Sequence, residues 1–237
     1  MQAITFLQTV QQLQLPVLQL PDVARIIGKS REYARLYIHR LTKKGIIHEV
    51  ERGKYTLLTD PLEIASHIVF PSYLSFLSAY SIYGLTTQIP INVQVVALKP
   101  RKRLSVDSTT INFITFKKEN IFGYRRQPFR DSIICIAAKE KAIVDSLYLP
   151  EHCPLSETRE ALASGEFDLQ KMVEYALRMN STVTLKRLGY LLEIRGIDVY
   201  DSFKEKLNAR YDLLNPFLKR SALNSTRWKL NINEALS

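Results

Sequence analysis

The residues whose types most clearly suggest a specific interaction are basic and polar side chains near the N-terminus. An arginine guanidinium can pair with the O6 and N7 atoms of guanine, while lysine and hydroxyl groups suit phosphate oxygens. The candidates for such contacts are Ser30, Arg31, Tyr33, Arg35, His39, Arg40, Lys43, Arg52 and Lys54. Their types and their clustering indicate a surface that could bind DNA.

A second basic group lies further along the chain and consists of Lys99, Arg101, Lys102 and Arg103. Two interpretations stay open for it. The group could contact the DNA backbone beside the first group, or it could be a solvated loop at the end of a strand. We include its four cations among the candidate DNA contacts.

The charge balance of the chain favours a polyanionic partner. The 237 residues include 33 Lys and Arg against 23 Asp and Glu, which gives a formal net charge of +10. The excess is +5 over residues 1–58, +4 over 59–150 and only +1 over 151–237. If the chain binds nucleic acid, the first two thirds are therefore expected to hold it.

Two short predicted helices precede the first basic group. Residues 3–14 predict an amphipathic helix, which Pro16 ends. Pro21 opens a second helix and Gly28 closes it. The apolar face of the first helix is expected at Ile4, Leu7, Val10 and Leu13.

A third predicted helix carries most of the first basic group. Ser30 is suited to cap its N-terminus, and Gly45 ends it. Its apolar face is expected at Ala34, Ile38 and Leu41. Tyr33 and Arg40 are then expected on the flanks, while Arg31, Glu32, Arg35, His39 and Lys43 point largely outward.

Residues 46–58 predict two strands around a glycine turn, with Arg52 and Lys54 at its tip. Three helices followed by such a hairpin have the element order of a winged helix-turn-helix. In that motif the N-terminal half of the third helix enters the major groove. The hairpin tip suits a phosphate or minor-groove contact.

The remaining residues predict a larger mixed domain. Helices are expected at 61–69, 71–84, 139–149, 168–179, 185–193 and 202–207, and strands at 91–98, 110–116, 132–137 and 227–233. The predicted fold class is therefore α+β: a winged helix-turn-helix over residues 1–58, then an α+β domain over 59–237 whose last part is mostly helical.

Several other kinds of site and location are disfavoured by the sequence. No stretch of 18 apolar residues and no signal-peptide pattern occurs, so we expect a cytoplasmic protein without membrane contact. Gly28-Lys29-Ser30 resembles the end of a P-loop, but Val23 stands where that motif needs its first glycine. Cys135 and the adjacent His152-Cys153 lack ligand spacing, so neither a metal nor another cofactor is expected.

Catalytic patterns are also lacking, and we expect that the protein is not an enzyme. Glu140 and Asp145 are five residues apart and share a helix face poorly, so they are a weak acid–base pair. No serine-hydrolase elbow and no zinc-protease motif occurs. The aromatic residues Tyr73, Phe76, Tyr80 and Tyr83 are expected to pack in a core.

Several short phrases follow one another in a fixed order over residues 1–150. They are Arg52-Gly53-Lys54-Tyr55, Asp60-Pro61-Leu62, Pro71-Ser72-Tyr73, Ser78-Ala79-Tyr80, Tyr83-Gly84-Leu85, the strand 93–98 with its basic end, Phe122-Gly123-Tyr124 and the helix 138–145. In this order the chain resembles the AbiEi family, the antitoxins of type IV toxin–antitoxin systems that also act as transcriptional repressors. The last third is similar mainly in its closing residues 228–233.

The resemblance implies a protein with two parts. The N-terminal winged helix-turn-helix would bind inverted repeats of double-stranded DNA in the promoter of its own operon. The C-terminal part would counter a nucleotidyltransferase-like toxin without needing a stable complex. Two alternatives stay open: a stand-alone transcription factor with no toxin partner, and a nucleic-acid-processing enzyme that the winged helix directs to its substrate.

Overall fold

The computed structural model describes residues 1–130 and 132–235 and shows an α+β protein. The chain forms two compact units. Unit 1 consists of Met1–Leu74, Ile91–Phe116 and Arg126–Ile136, and unit 2 of Ser75–Pro90, Lys117–Arg125 and Ala137–Ser237. No helix of the described residues combines the length and the apolar character that crossing a membrane requires.

Unit 1 begins with three helices and a small antiparallel sheet. The elements are α1 (Ala3–Gln12), β1 (Leu18–Gln19), α2 (Leu20–Ile27), α3 (Arg31–Lys43), β2 (His48–Glu51) and β3 (Lys54–Thr56). The sheet has the strand order β1-β3-β2. The three predicted helices and the predicted hairpin are therefore present, whereas the two-residue strand β1 is not predicted from the sequence.

These elements enclose one apolar core. Its buried members lie within residues 1–57 and are Phe6, Val10, Leu18, Val23, Ile27, Ala34, Ile38, Leu41 and Ile47. The predicted apolar face of α1 is partly wrong, because Ile4 and Leu13 are 68% and 52% exposed. The large ring of Phe6 points inward instead and meets Tyr37 edge-on, with ring centroids 5.4 Å apart.

Most residues of a six-stranded mixed sheet belong to unit 1. Its strands are β4 (Ser72–Leu74), β5 (Asn92–Ala97), β6 (Leu104–Val106), β7 (Thr109–Thr115), β8 (Tyr124–Phe129) and β9 (Ser132–Ala137), in the order β6-β7-β5-β4-β9-β8. Strands β5 and β7 pair in parallel from Asn92 opposite Thr110 to Ala97 opposite Thr115. The three predicted strands of this region are confirmed, and β4, β6 and β8 are additional.

Two predicted helices differ from the structure. Helix α4 (Pro61–Ala65) is shorter than the predicted 61–69, and the helix predicted over 71–84 begins later, as α5 (Phe76–Tyr83). Strand β4 occupies the start of that range. All three of its residues are buried between β5 and β9. Where every position is apolar or buried, periodicity cannot separate a strand from a helix.

An apolar cluster joins the hairpin to the six-stranded sheet. Val50 of β2 packs with Ile64 and Ile68, and Leu104 and Phe113 of the sheet lie against them. The predicted domain boundary at residue 58 therefore falls within unit 1. That residues 1–58 fold as a domain of their own stays a prediction.

Unit 2 is mostly helical. It contains α5, α6 (Lys139–Tyr148), α7 (Leu155–Ser164), α8 (Leu169–Arg178), α9 (Thr182–Glu193), α10 (Tyr200–Phe203) and a small sheet of β10 (Asp212–Leu213), β11 (Asn224–Ser225) and β12 (Leu230–Asn231). Helices α6, α8 and α9 confirm the predictions at 139–149, 168–179 and 185–193. Helix α7 is not predicted. The helix expected over 202–207 is α10 followed by a 3-10 turn, and the strand expected over 227–233 is reduced to β12.

Two buried contacts hold unit 2 together. The ring of Trp228 covers Gly189, where an added Cβ would lie 2.1 Å from the indole ring, so only glycine fits. Lys141 and Asp145 form a fully buried ion pair, and the hydroxyl of Ser75 donates to Asp145 at 2.8 Å. A buried ion pair of this kind is costly to break on one side, because the remaining charge would have no partner.

A fragment of residues 1–62 is expected to fold by itself, because the apolar core closes within residues 1–57. Its stability should be low, because a domain of about 60 residues buries a small fraction of its surface. It also lacks the partners of Val50 on β6 and β7. Circular dichroism should show helical signal with a urea midpoint well below that of the full chain. The same fragment with Val23→Asp, which places a charge in the core, provides the reference spectrum of the unfolded chain. A wild-type fragment whose spectrum matches this reference and shows no helical signal would contradict the prediction.

Candidate nucleic-acid interface

The turn between α2 and α3 sets the direction of the basic helix. Gly28 adopts the left-handed conformation with φ of 64° and ψ of 38°, which lets α2 stop and the chain turn sharply. No atom lies within 4 Å of an added Cβ, so the conformation and not crowding favours glycine here. Ser30 then caps α3, its hydroxyl oxygen accepting a hydrogen bond from the Tyr33 amide at 3.3 Å.

One face of α3 is buried, and this leaves the basic side chains in water. Ala34, Ile38 and Leu41 are at most 4% exposed and pack in the N-terminal core. The exposed residues of the helix include Arg31, Tyr33, Arg35, Leu36, His39, Arg40 and Lys43, and we call them the outer face of α3. None of its cations forms an ion pair within 4 Å in the described part of the chain.

The middle of this outer face is apolar, which the sequence analysis does not predict. Successive helical residues are turned by about 100°, so Leu36 and not Arg35 lies opposite the buried face. Leu36 is 57% exposed and Tyr33 is 44% exposed. Such side chains suit the methyl group of thymine. A leucine that interrupts the polar side of an amphipathic helix is the signal that could have identified it.

The pKa values of Glu32 and Tyr55 report which charges lie near the start of α3. Backbone and Ser30 hydrogen bonds, together with the charges of Arg35 and Arg31, lower the pKa of Glu32, so it is a carboxylate at neutral pH. Arg35 also lies near Tyr55 of the hairpin, where its charge partly opposes the burial that raises the pKa of that phenol. Arg35 therefore stands on the side of α3 that faces the hairpin, and it lies on the flank of the helix.

The tip of the hairpin carries an exposed cation, Arg52. Gly53 has φ of 77°, and its amide donates to the Glu49 carboxylate at 2.9 Å, which closes the turn. Arg52 is exposed and forms no ion pair within the described residues. Its place at the tip is the one that the sequence predicts.

Lys54 and Arg101 require a correction, because both side chains are engaged inside the protein. Lys54 Nζ donates to the carbonyl oxygen of Ile68 at 2.7 Å and lies 3.2 Å from Glu51 Oε2. Arg101 pairs with the same carboxylate and its guanidinium lies over the ring of Phe113, 5.2 Å from the centroid. Only about a fifth of each side chain is exposed, at 21% and 19%. Arg101 joins the hairpin to residues 99–103, and Lys54 joins it to the segment after α4, so both side chains are engaged within the protein.

The second basic group lies beside the hairpin. Residues 99–103 connect β5 to β6, and β6 lies next to β2 of the hairpin. We call these residues the basic loop. Lys99, Lys102 and Arg103 are exposed and make no ion pair within residues 1–130 and 132–235. The pairing of Arg101 with Glu51 thus ties the loop that carries Lys99, Lys102 and Arg103 to the hairpin.

The remaining candidates behave as structural residues. Burial raises the pKa of the Cys153 thiol to about 11, and His152 stacks edge-on against Phe76. Asp145 is engaged by Lys141, and Glu140 accepts a hydrogen bond from the Asp168 amide at 2.9 Å. Tyr73, Phe76 and Tyr80 are fully buried, as expected for packing, and Tyr83 donates to the Ala137 carbonyl. Among the described residues no cluster of His, Cys, Asp and Glu could hold a metal ion.

The fold is known from a solved structure. The chain matches the crystal structure of the Rv2827c protein from Mycobacterium tuberculosis with a TM-score of 0.60, over 96% of this chain and 90% of that one. The two sequences are 15% identical, so the likeness shows a similar fold and nothing more. No family model matches the chain, and no curated protein matches it.

Replacing Glu51 with Gln is expected to loosen the hairpin at neutral pH. Partial burial alone would raise the pKa of Glu51, but hydrogen bonds from Lys54 and Arg101 outweigh it and lower the pKa. A carboxylate of this kind stabilises the fold above its ordinary pKa of 4.5, and the contribution is lost as the pH falls through the lowered value.

Urea unfolding of wild type and Glu51→Gln across this pH range measures the effect. The difference in free energy of unfolding between wild type and Glu51→Gln should be largest at neutral pH and should decrease towards zero at acidic pH. Glu119→Gln, which removes an exposed carboxylate from unit 2, serves as the control. A difference that stays constant with pH would contradict the role given to Glu51.

Proposed function

We propose that the chain is a DNA-binding transcriptional regulator. In this proposal residues 1–58 are a winged helix-turn-helix, α3 is the recognition helix and the β2–β3 hairpin is the wing. The single observation that carries it is the outer face of α3, where Arg31, Arg35, Arg40 and Lys43 are exposed and have no acidic partner within 4 Å in the described residues. Exposed cations that form no ion pair are available to neutralise the phosphates of a DNA backbone.

The position of the other free cations supports the same function. Arg52 at the hairpin tip and the three free cations of the basic loop belong to the same unit as α3. In unit 1, Lys and Arg outnumber Asp and Glu by seven, whereas the net charge of the whole chain is +10. Unit 1 therefore carries most of the positive excess. A winged helix places its third helix in the major groove and its wing along the adjacent backbone, so both sets would meet one duplex.

The antitoxin role belongs to the proposal through the resemblance to the AbiEi family. On this hypothesis the regulator represses its own operon by binding inverted repeats in the promoter, and unit 2 contributes to countering a nucleotidyltransferase-like toxin. We further propose that the protein is not an enzyme and acts in the cytoplasm. A neighbouring gene for a nucleotidyltransferase-like protein would support this role over that of a stand-alone regulator.

Two substitutions in α3 distinguish sequence-specific contacts with base edges from non-specific contacts with the phosphate backbone. An operator is first selected from random duplexes with the full chain. Arg35→Ala should then cost about 1–3 kcal/mol on the selected duplex and much less on a scrambled one, because a guanidinium pairs with guanine through two hydrogen bonds. Lys43→Ala should weaken both duplexes alike, because it lies two turns later on the helix.

Gel-shift titrations at one fixed salt concentration compare the two variants. Equal losses for Arg35→Ala on both duplexes would show that Arg35 is not a base reader. Leu36→Ala in the same assay tests the apolar middle of the outer face, and loss of a thymine contact should again appear on the selected duplex alone. Wild-type binding that cannot be detected on either duplex would overturn the proposed function.

The basic loop is tested through the salt dependence of binding. Replacing Lys99, Lys102 and Arg103 with Gln should weaken binding to all duplexes alike. Each phosphate contact that is lost should flatten the slope of log K against log salt by about 0.9. Arg101 is left unchanged, because it holds the hairpin.

A variant with the same change in net charge provides the control for this measurement. Lys117, Lys118 and Lys219 are exposed residues of unit 2, and their replacement with Gln should leave the slope unchanged. If both triple variants change the slope by the same amount, the basic loop acts only through net charge. It would then not contact DNA.

A further inference from the structure

A pocket of about 470 Å³ lies within unit 1, between the first helix and the six-stranded sheet. One side is formed by the end of α1 and the loop after it, together with the residues that follow β3. The other side is formed by the segment after α4 and by strands β8 and β9. This volume is in the range of sites that bind small molecules, which is about 300–1,000 Å³.

The wall of this pocket is mainly apolar. Val10, Leu15, Leu57 and Ile133 line it, and Phe70 stands at the pocket with 88% of its surface exposed. A phenylalanine left in water is unfavourable, and an apolar ligand lying against it would cover that surface. The chemistry of the wall therefore fits a hydrocarbon chain or ring.

The polar groups of the pocket point to a negative charge on the ligand. Arg126 lines the pocket, and it forms no ion pair within 4 Å in the described residues. No acidic residue is among the described residues that line the pocket. His67 is uncharged at neutral pH because burial lowers its pKa, and its Nε2 donates to the Ile133 carbonyl at 2.6 Å. Among the described lining residues, Arg126 is thus the cation with which a negatively charged ligand would pair.

Covalent chemistry at this place is disfavoured. Cys135 also lines the pocket, but burial raises the pKa of its thiol, so little thiolate is present at neutral pH. Its amide is engaged with the hydroxyl of Ser66 at 3.1 Å. The pocket therefore suits reversible binding.

We propose that this pocket binds a small amphipathic carboxylate. The carboxylate pairs with the Arg126 guanidinium, which can donate two parallel hydrogen bonds, and the apolar part lies along Leu15, Leu57 and Ile133. Because the ligand contacts both the end of α1 and the sheet, it changes how the N-terminal helices are held. That regulatory consequence rests on the proposed DNA-binding function, whereas ligand binding itself does not.

Calorimetry on the full chain tests ligand binding without DNA. Octanoate, octanol and octylammonium share one apolar chain and differ in the charge of the head group. Wild type should bind octanoate best and octylammonium least. Arg126→Gln should weaken octanoate binding by about tenfold or more, the size of a lost charged hydrogen bond, and should leave octanol binding unchanged.

Two further variants keep the test decisive. Arg125→Gln removes the adjacent cation of β8, which does not line the pocket, and it should bind octanoate like wild type. Phe70→Ala removes an exposed side chain, so the fold should persist while the affinity for octanoate and octanol falls severalfold. Absence of octanoate binding to wild type, or equal binding by wild type and Arg126→Gln, would overturn the proposal.

Gel shifts with a random duplex, with and without saturating octanoate, test the regulatory consequence. A change in DNA affinity that is present in wild type and absent in Arg126→Gln supports it. An unchanged DNA affinity overturns the regulatory consequence while the calorimetry still decides the ligand site. Absence of DNA binding under both conditions counts against the proposed function alone.

Discussion

The burial of one face of α3 is the constraint on which the candidate interface depends. Ala34, Ile38 and Leu41 must enter the core that the first 57 residues build, since this is the apolar surface that the short helices and the hairpin share. Once that face is fixed, the residues on the opposite side of the helix lie in water. The left-handed turn at Gly28 and the cap at Ser30 then set where α3 begins. The exposed cations follow from this arrangement.

The cations of unit 1 fall into two groups with different physical roles. Lys54 and Arg101 share the Glu51 carboxylate and hold the hairpin against the sheet, so their charge is neutralised within the protein. The cations of α3, the hairpin tip and the basic loop have no such partner in the described residues. Their mutual repulsion disfavours the compact state slightly, and a polyanion would relieve it. The proposed function rests on this second group.

Local features of the sequence predict the first three helices well, and contacts between distant segments explain several features that the sequence does not predict. Helix α3 is predictable because its cap, its apolar spacing and its terminating glycine all lie within sixteen residues. Strand β1 was missed because its two residues gain their structure from β3, more than thirty residues away. The role of Lys54 was missed for the same reason, since its acceptor is the Ile68 carbonyl. The interaction of Arg101 with Glu51 likewise joins segments that are far apart in the chain.

Oxidative footprinting of side chains, with and without duplex DNA, tests the central claim most directly. Tyr33, Leu36 and His39 lie on the outer face of α3 and react with hydroxyl radicals when exposed. DNA is expected to protect these three residues, while the exposed Phe217 and Leu223 of unit 2 keep their reactivity. Protection confined to unit 2, with α3 still fully reactive in the complex, would contradict it.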